Sequence, residues 1–291
     1  MVFDQVQTKI LLLGAGELGT AFLPHLQTLP DTHITVDLAG TFAEYDILIS
    51  AIGFGADPST VLKLANEVLA AGKIKKENSK GNFWFFPWQW GVDYDTTGSN
   101  NGLMLLFGAQ RDVRNLLREK AKESNVTWTV VSTGIFMSFL FEPFWGIVDR
   151  SREASDEQIT VRCLRDWYHK VTVTHVNDIG RVLSRILFGD VEAGNRVVYV
   201  AGDTVSYGDL ADIVERVSGM NVDREMWDMG RLEEELRKNP DDGIKKYRLV
   251  FAGGGVWWDK EKTVNRQLEM SMTDVESYAK SILGRSCRDS R

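Results

Sequence analysis

Through the first 136 residues, short apolar runs alternate with stretches in which apolar residues recur every three or four positions. Residues 10–13 form an apolar run suited to a strand buried on both faces. Behind it, Leu18, Phe22, Leu23 and Leu26 recur at helical spacing. Residues 33–36, 46–52, 83–86 and 126–131 predict further strands. Residues 58–71, with Pro58 near the start, predict a helix. So do residues 105–123, with Val113, Leu116 and Leu117 on one face. Such alternation calls for a parallel sheet with helices on both faces.

After about Phe136 the order of elements changes. Residues 159–163, 171–174, 196–200 and 221–227 predict strands. Asp178 is expected to cap a helix that continues through Ile179, Val182, Leu183 and Ile186. Ser206-x-x-Asp209 resembles a capping box and opens a helix over 207–217. Residues 232–238 and 273–283 are also helical, and the charged tail 285–291 is expected to fray. The expected fold class is α/β, a Rossmann-type doubly wound parallel sheet with a smaller C-terminal α+β domain. The boundary falls at 138: residues 1–138 form the first domain and 139–291 the second, with 171–190 returning to pack on the first.

One connection is too short for this scheme. Few residues separate the strands at 33–36 and 46–52, whereas a parallel crossover takes a dozen or more. Either this edge is unusual or a segment is absent between Val36 and Asp37. Asp37-Leu38 reads like a strand end and residues 41–45 like the end of a helix, which favours absence.

Composition narrows the class. The 291 residues are 43% hydrophobic, enough for one or two domains. The net charge of −7 argues against a nucleic-acid surface. No apolar run has transmembrane length, and residues 1–7 lack a basic n-region, so neither a membrane span nor a signal peptide is expected. Cys163 and Cys287 lie far apart in sequence, which fits a reducing, cytoplasmic setting. The four histidines make no zinc motif, so no metal is expected. Nine Trp and 14 Phe are the unusual feature, many of them within 83–90 and 136–145.

The strand at 10–13 runs into Gly14-Ala15-Gly16-Glu17-Leu18-Gly19, a G-x-G-x-x-G pattern between a strand and a helix. In that context the first glycine permits a tight turn and the second lets backbone approach a pyrophosphate. The third lets the helix pack closely on the strand. The first helical N–H groups would then hold the phosphates.

These glycines, Pro87-Trp88-Gln89-Trp90-Gly91-Val92-Asp93-Tyr94-Asp95, Ser132-Thr133-Gly134-Ile135-Phe136 and Val173-Thr174-His175-Val176-Asn177-Asp178-Ile179-Gly180 together resemble the NmrA-like family. That family belongs to the atypical short-chain dehydrogenase/reductases, beside isoflavone reductases, and the chain looks most like its fungal aromatic alcohol reductases. The resemblance implies a Rossmann domain, a smaller substrate domain and NADP(H) in the cleft. It also marks two departures. The basic residue that meets the 2′-phosphate after the second strand is missing. Asp37 follows Val36 directly and, read naively, would select NAD, so NAD stays open. A lysine of the reductase branch is replaced by Gln110 in Phe107-Gly108-Ala109-Gln110-Arg111-Asp112-Val113-Arg114. The short-chain Tyr-x-x-x-Lys pair is absent as well.

The remaining site candidates lie at strand ends, where ligands of doubly wound sheets bind. Ile52, Gly53 and Phe54 would meet the adenosine half; Pro87, Trp88 and Gln89 would flank the nicotinamide ribose, with Gly134 and Phe136 beyond the next strand. Trp88 and Trp90 read either as cofactor or substrate neighbours or as core aromatics. With Phe136 and Phe139 they form the candidate substrate wall; Phe141, Phe144 and Trp145 either extend it or belong to hinge core, and some of this aromatic cluster must be core. Gln110, in the lysine position, can hydrogen-bond but cannot supply a proton as lysine does. Tyr94 is therefore the first candidate acid, on condition that its pKa is lowered; with Asp93 it reads otherwise as a loop cap. His169 and His175 read either as donors or as structural residues. The resemblance implies an NAD(P)H-dependent reductase of a small aromatic or natural-product substrate. Two alternatives stand beside it: an NmrA-like regulator that senses cofactor, and an enzyme that keeps the cofactor as a structural element for non-redox chemistry.

Overall fold

The computed structural model describes residues 8–14, 17–26, 34–35, 42–52, 57–78, 81–151 and 158–284. In chain order, β1 (Ile10–Leu13) leads to α1 (Glu17–Leu26), β2 (Ile34–Thr35), β3 (Ile47–Ser50), α2 (Ser59–Glu77) and β4 (Phe83–Phe86). The one-turn α3 (Tyr94–Thr97), α4 (Leu105–Lys120) and β5 (Val126–Ser132) follow. Then come β6 (Ile135–Phe136), β7 (Val148–Asp149), β8 (Gln158–Leu164), β9 (Lys170–Thr174) and α5 (Val176–Leu187). The chain continues through β10 (Arg196–Tyr199), β11 (Asp203–Ser206), α6 (Tyr207–Ser218), β12 (Asn221–Trp227), α7 (Met229–Lys238) and α8 (Gly243–Phe251). It closes with α9 (Val264–Gln267) and α10 (Val275–Leu283).

The main sheet has the order β10-β5-β4-β3-β1-β2, and every pairing in it is parallel. Its strands are apolar on both faces, as layers on both sides require. Ile10, Leu12, Ile47, Ile49 and Phe86 turn to one side and pack with Phe22 and Leu26 of α1 and with Ile179, Val182, Leu183 and Ile186 of α5. Leu11, Leu13, Leu48, Phe83 and Phe85 turn to the other and pack with Val68 and Leu69 of α2 and with Val113 and Leu117 of α4. From β1 the chain passes to β2 on one side, then returns to β3 on the other. The sheet thus changes winding direction between β1 and β3, which opens a crevice at their carboxyl ends. β2 and β3 flank β1. The expected gap between Val36 and Asp37 lies outside the described residues, and so does Asp37.

Two three-stranded sheets complete the fold, β11-β9-β6 and β12-β8-β7. Each combines one parallel and one antiparallel pair. Both contribute to a third core, with Ile159, Val161, Val171 and Val173 buried beside Leu210 and Val214 of α6. The capping box over Ser206 and Asp209 is formed. The capping expectation at Asp178 is not met: His175 is the N-cap of α5, and Asp178 lies within its first turn. The Asp178 carboxylate is engaged instead by Arg181 and by the backbone N–H of Thr273, which ties α5 to the segment before α10. Beyond residue 138, β10 also returns to the main sheet, beside β5.

α5 meets α1 with almost no clearance. A Cβ on Gly180 would lie 2.5 Å from His25 Cδ2 and 2.9 Å from the carbonyl oxygen of Ala21. Replacing Gly180 by valine should therefore overpack the contact and cost about 1–3 kcal/mol. A lowered urea midpoint at unchanged slope would show it; an unchanged midpoint would mean that these helices separate freely here.

Candidate functional site

The glycine turn begins where the sheet demands it. Gly14 has φ +98°, and a Cβ there would lie 2.4 Å from the carbonyl oxygen of Ala51 at the end of β3. Only glycine allows that backbone and that approach together. α1 starts at Glu17, so its free N–H groups face the crevice between β1 and β3. Gly19 lies in the first turn of α1. Ala15, Gly16, Gly53 and Phe54 lie outside the described residues, as does the side chain of Glu17.

Beyond these strand ends lies a cavity of about 590 Å³. Leu18, Ile52, Trp88, Trp90, Tyr94, Gly134, Phe136 and Phe139 line it from the first half of the chain. The structure thus brings together the proposed substrate wall and several of the strand-end cofactor candidates. Ile52, 53% exposed, lies at the open side. Trp90 is held by an indole hydrogen bond to the Ser50 carbonyl, 2.8 Å, and by an edge contact with Phe22 of α1. Phe136 packs edge-on against Phe139, and Phe139 against Phe144, so the aromatic wall is continuous. Phe141 leaves this wall and packs against Tyr278.

Behind the wall is a polar network. Arg114 of α4 is fully buried. Its Nε donates to Gln89 Oε1 (2.8 Å), its Nη1 to Asp93 and Asp95 (2.9 and 3.0 Å), and its Nη2 to Ser132 Oγ and the Val92 carbonyl. Gln89 Nε2 donates to the Gln110 carbonyl, and Gln110 Nε2 donates to the Trp88 carbonyl at 2.6 Å. Gln110 is only 2% exposed and does not line the cavity. Its amide, like that of Gln89, fixes the loop after β4 from behind. Pro87 is buried at the start of that loop.

Tyr94 does line the cavity. Its ring packs edge-on against Phe107, and Arg114 lies over it at 5.3 Å. Burial pushes its hydroxyl up to about 12, against the pull of Arg114. The lowered pKa that an acid role was expected to need is therefore not found: burial keeps the phenol neutral and makes it a hydrogen-bond donor. The two histidines do not reach this cavity. His169 is bonded to the Phe251 carbonyl, with its pKa lowered by burial, and His175 packs on Tyr278.

The opposite wall comes from residues that the sequence pattern does not single out. Asp242, Ile244, Tyr247 and Phe251 of α8 and its cap line the cavity, as does Phe107 of α4. Asp242 caps α8 by accepting from Ile244 and Lys245 N–H groups. That aspartate, followed by Ile244, Tyr247 and Phe251 at helical spacing, is the signal by which α8 is recognisable. Among the described residues no cluster of His, Cys, Asp or Glu could hold a metal ion, and no helix is long and apolar enough to cross a membrane.

The network makes two predictions. Arg114→Met leaves two carboxylates without their buried partner and should cost about 3–5 kcal/mol in chemical denaturation; a loss under about 1 kcal/mol would sink the anchoring role. Asp95 is held down to about 2, chiefly by Arg118 and then by Arg114, against burial. Its contribution is present above the ordinary carboxylate value of 3.8 and is lost as pH falls through about 2. In Asp95→Asn the decline of stability between those values should be shallower than in the parent.

The sequence and the fold agree with known proteins. The NmrA-like family matches residues 38–278. An NmrA-like family domain-containing oxidoreductase from Gibberella moniliformis is 37% identical over 317 aligned residues, which cover 94% of this chain and 98% of the relative. That alignment is longer than the 291 residues of this chain, so the relative carries positions without counterpart here. A crystal structure of isoflavone reductase superposes with a TM-score of 0.71 at 14% identity, covering 94% of this chain and 99% of the other. A leucoanthocyanidin reductase–NADPH complex from Vitis vinifera gives 0.69 at 16% identity, with the same coverage of both chains. With its parallel sheet, its glycine turn and a family match that spans most of its length, the chain belongs to the NmrA-like family.

Proposed function

We propose that this protein is an NADP(H)-dependent oxidoreductase that reduces a small, uncharged aromatic substrate. One observation carries the reading: a 590 Å³ cavity walled by aromatic side chains lies at the sheet's switch point, beside the glycine turn. Pockets of this kind are mostly apolar with a few placed polar groups. Here, indoles apart, the polar side chains are two phenols, Tyr94 and Tyr247, and the Asp242 carboxylate; among the described residues no Lys, Arg or His lines the cavity. An anionic substrate would find no counter-charge there.

The residues present fit a dinucleotide. Gly14 lets the chain turn hard against the end of β3, where a Cβ would collide with the Ala51 carbonyl, and α1 begins three residues later, the arrangement in which first-turn N–H groups bind a pyrophosphate. Trp88, Gly134 and Phe136 would hold the nicotinamide half. When bound, the reduced cofactor supplies hydride. The NADPH in the leucoanthocyanidin reductase complex and the oxidoreductase relative support the choice of cofactor. Tyr94 would donate to the substrate oxygen as negative charge develops on it. Gln110 would hold the Trp88 loop in place behind it.

Cofactor binding and chemistry are separable. By the glycine motif, Gly16→Val should abolish NADPH binding in a fluorescence titration; unchanged affinity would remove the dinucleotide site. With NADPH deuterated at C4 and a panel of aromatic aldehydes and ketones, deuterium should enter the product. Tyr94→Phe should slow that transfer on the order of 10²–10⁴-fold, and Gln110→Ala less. Because the Tyr94 hydroxyl sits near 12, the rate should show no loss from its ionisation below that pH. Tight NADPH binding without transfer to any panel member would favour a cofactor sensor or a non-redox enzyme.

A further inference from the structure

The Tyr94 hydroxyl lies against a residue that has no side chain. A Cβ built on Gly91 would lie 2.6 Å from the hydroxyl oxygen, 3.4 Å from Cζ and 3.9 Å from Cε2 of the ring. The hydroxyl thus rests on the Gly91 α-carbon, in space that any side chain there would take. Both residues line the cavity. Backbone conformation does not call for this glycine: its φ is not positive, so no left-handed strain would fall on an alanine. What the position requires is room for the oxygen.

The seat is held firmly. The Gly91 N–H donates to the Gln89 carbonyl at 2.9 Å. The Gly91 carbonyl accepts from the N–H groups of Thr133 and Gly134, at 2.9 and 3.1 Å, just beyond β5. The ring above it is confined as well. Phe107 meets it edge-on with centroids 5.0 Å apart, and Arg114 lies over it. Its backbone opens α3, where the Asp93 carboxylate accepts from the Asp95 N–H and the Asp93 N–H donates to the Gly255 carbonyl. A methyl on Gly91 would therefore act first on the free end of the tyrosine, the hydroxyl.

We propose that Gly91 is the positioning residue for Tyr94: its bare α-carbon seats the hydroxyl at the point from which it donates to the substrate oxygen. This rests on Tyr94 being the donor in the proposed reduction. It adds a steric condition to that role. The donor is useful only where the chain leaves a gap for it, and the residues after β5 hold that gap in place.

A double-mutant cycle of Gly91→Ala and Tyr94→Phe in the full chain tests the seat in two ways. The first is the rate of hydride transfer in single turnovers, with NADPH and the member of the carbonyl panel that the parent reduces fastest. Gly91→Ala should slow transfer on the order of 10²-fold, the penalty of misplacing a group by about 1 Å. NADPH affinity should stay within about twofold of the parent. In the Tyr94→Phe background the same methyl should change the rate by no more than about twofold, because the oxygen it displaces is gone. A methyl that merely narrowed the cavity would act alike in both backgrounds, through weaker carbonyl binding. The second reading, urea denaturation, needs no reduction. Gly91→Ala should lower the midpoint of the parent but not that of Tyr94→Phe, whose ring carbon would meet the new Cβ at an ordinary 3.4 Å. Equal rate losses in the two backgrounds overturn the positioning role and leave the reductase reading standing. Equal midpoint losses, or none, overturn the seat itself. Should Gly91→Ala fail to fold, a folded double variant supports the seat and an unfolded one overturns it. Absence of any transfer by the parent removes the reductase reading, and the positioning role with it.

Discussion

A fully buried guanidinium sets the geometry of this site. An arginine carries five N–H groups in a fixed planar fork, and Arg114 has an acceptor for each, drawn from Gln89, Val92, Asp93, Asp95 and Ser132. A buried cation is tolerable only when such a shell is complete, because an unpaired one loses its hydration without return. The requirement acts in reverse on the chain. The loop after β4, the first turn of α3 and the end of β5 must all converge on one point of α4. Trp88, Trp90 and Tyr94 belong to that loop and turn, so the position of the cavity wall follows from satisfying the arginine.

The cavity itself arises between layers. Its near side is the carboxyl edge of a parallel sheet, where helix N-termini and strand ends leave a crevice at the change of winding. The far side is α8 and the 144–145 backbone, tied together by Arg248. Aromatic rings meet across it mainly edge to face, the arrangement that their quadrupoles favour. The polar groups that remain are sparse, and burial keeps the two phenols neutral. A wall of this kind can discriminate by shape and by single hydrogen bonds. Among the described residues its lining holds no Lys, Arg or His.

Gln110 shows how position and role part company. In sequence it occupies the place of a reductase lysine, which makes it a catalytic candidate. In the structure its side-chain amide donates to the Trp88 carbonyl, and its backbone carbonyl accepts from Gln89 Nε2. An amide both donates and accepts and carries no charge, so it can be absorbed into a buried network at little cost, which an ammonium cannot.

Much of the architecture is written locally. Apolar strands flanked by helical periodicity call for the parallel sheet, since strands buried on both faces have few other homes. The glycine pattern locates the turn after β1, and the aromatic clusters at 83–90 and 136–145 name much of the near wall. These signals are legible because each depends on residues close in sequence. Contacts between distant residues are not. The start of α5 reads too late because Asp178 has the composition of a cap, yet Arg181 and Thr273, the latter distant in sequence, claim its carboxylate. α8 has a local signal in its Asp242 cap and the spacing behind it, but no local motif connects its Tyr247 and Phe251 to the glycine turn. The sequence by itself determined which segments could be strands, helices and a dinucleotide turn, because backbone propensity and periodicity are local. Only the tertiary structure decided which side chains face the cavity and which are consumed behind it, because that depends on hydrogen-bond partners and packing supplied from across the fold.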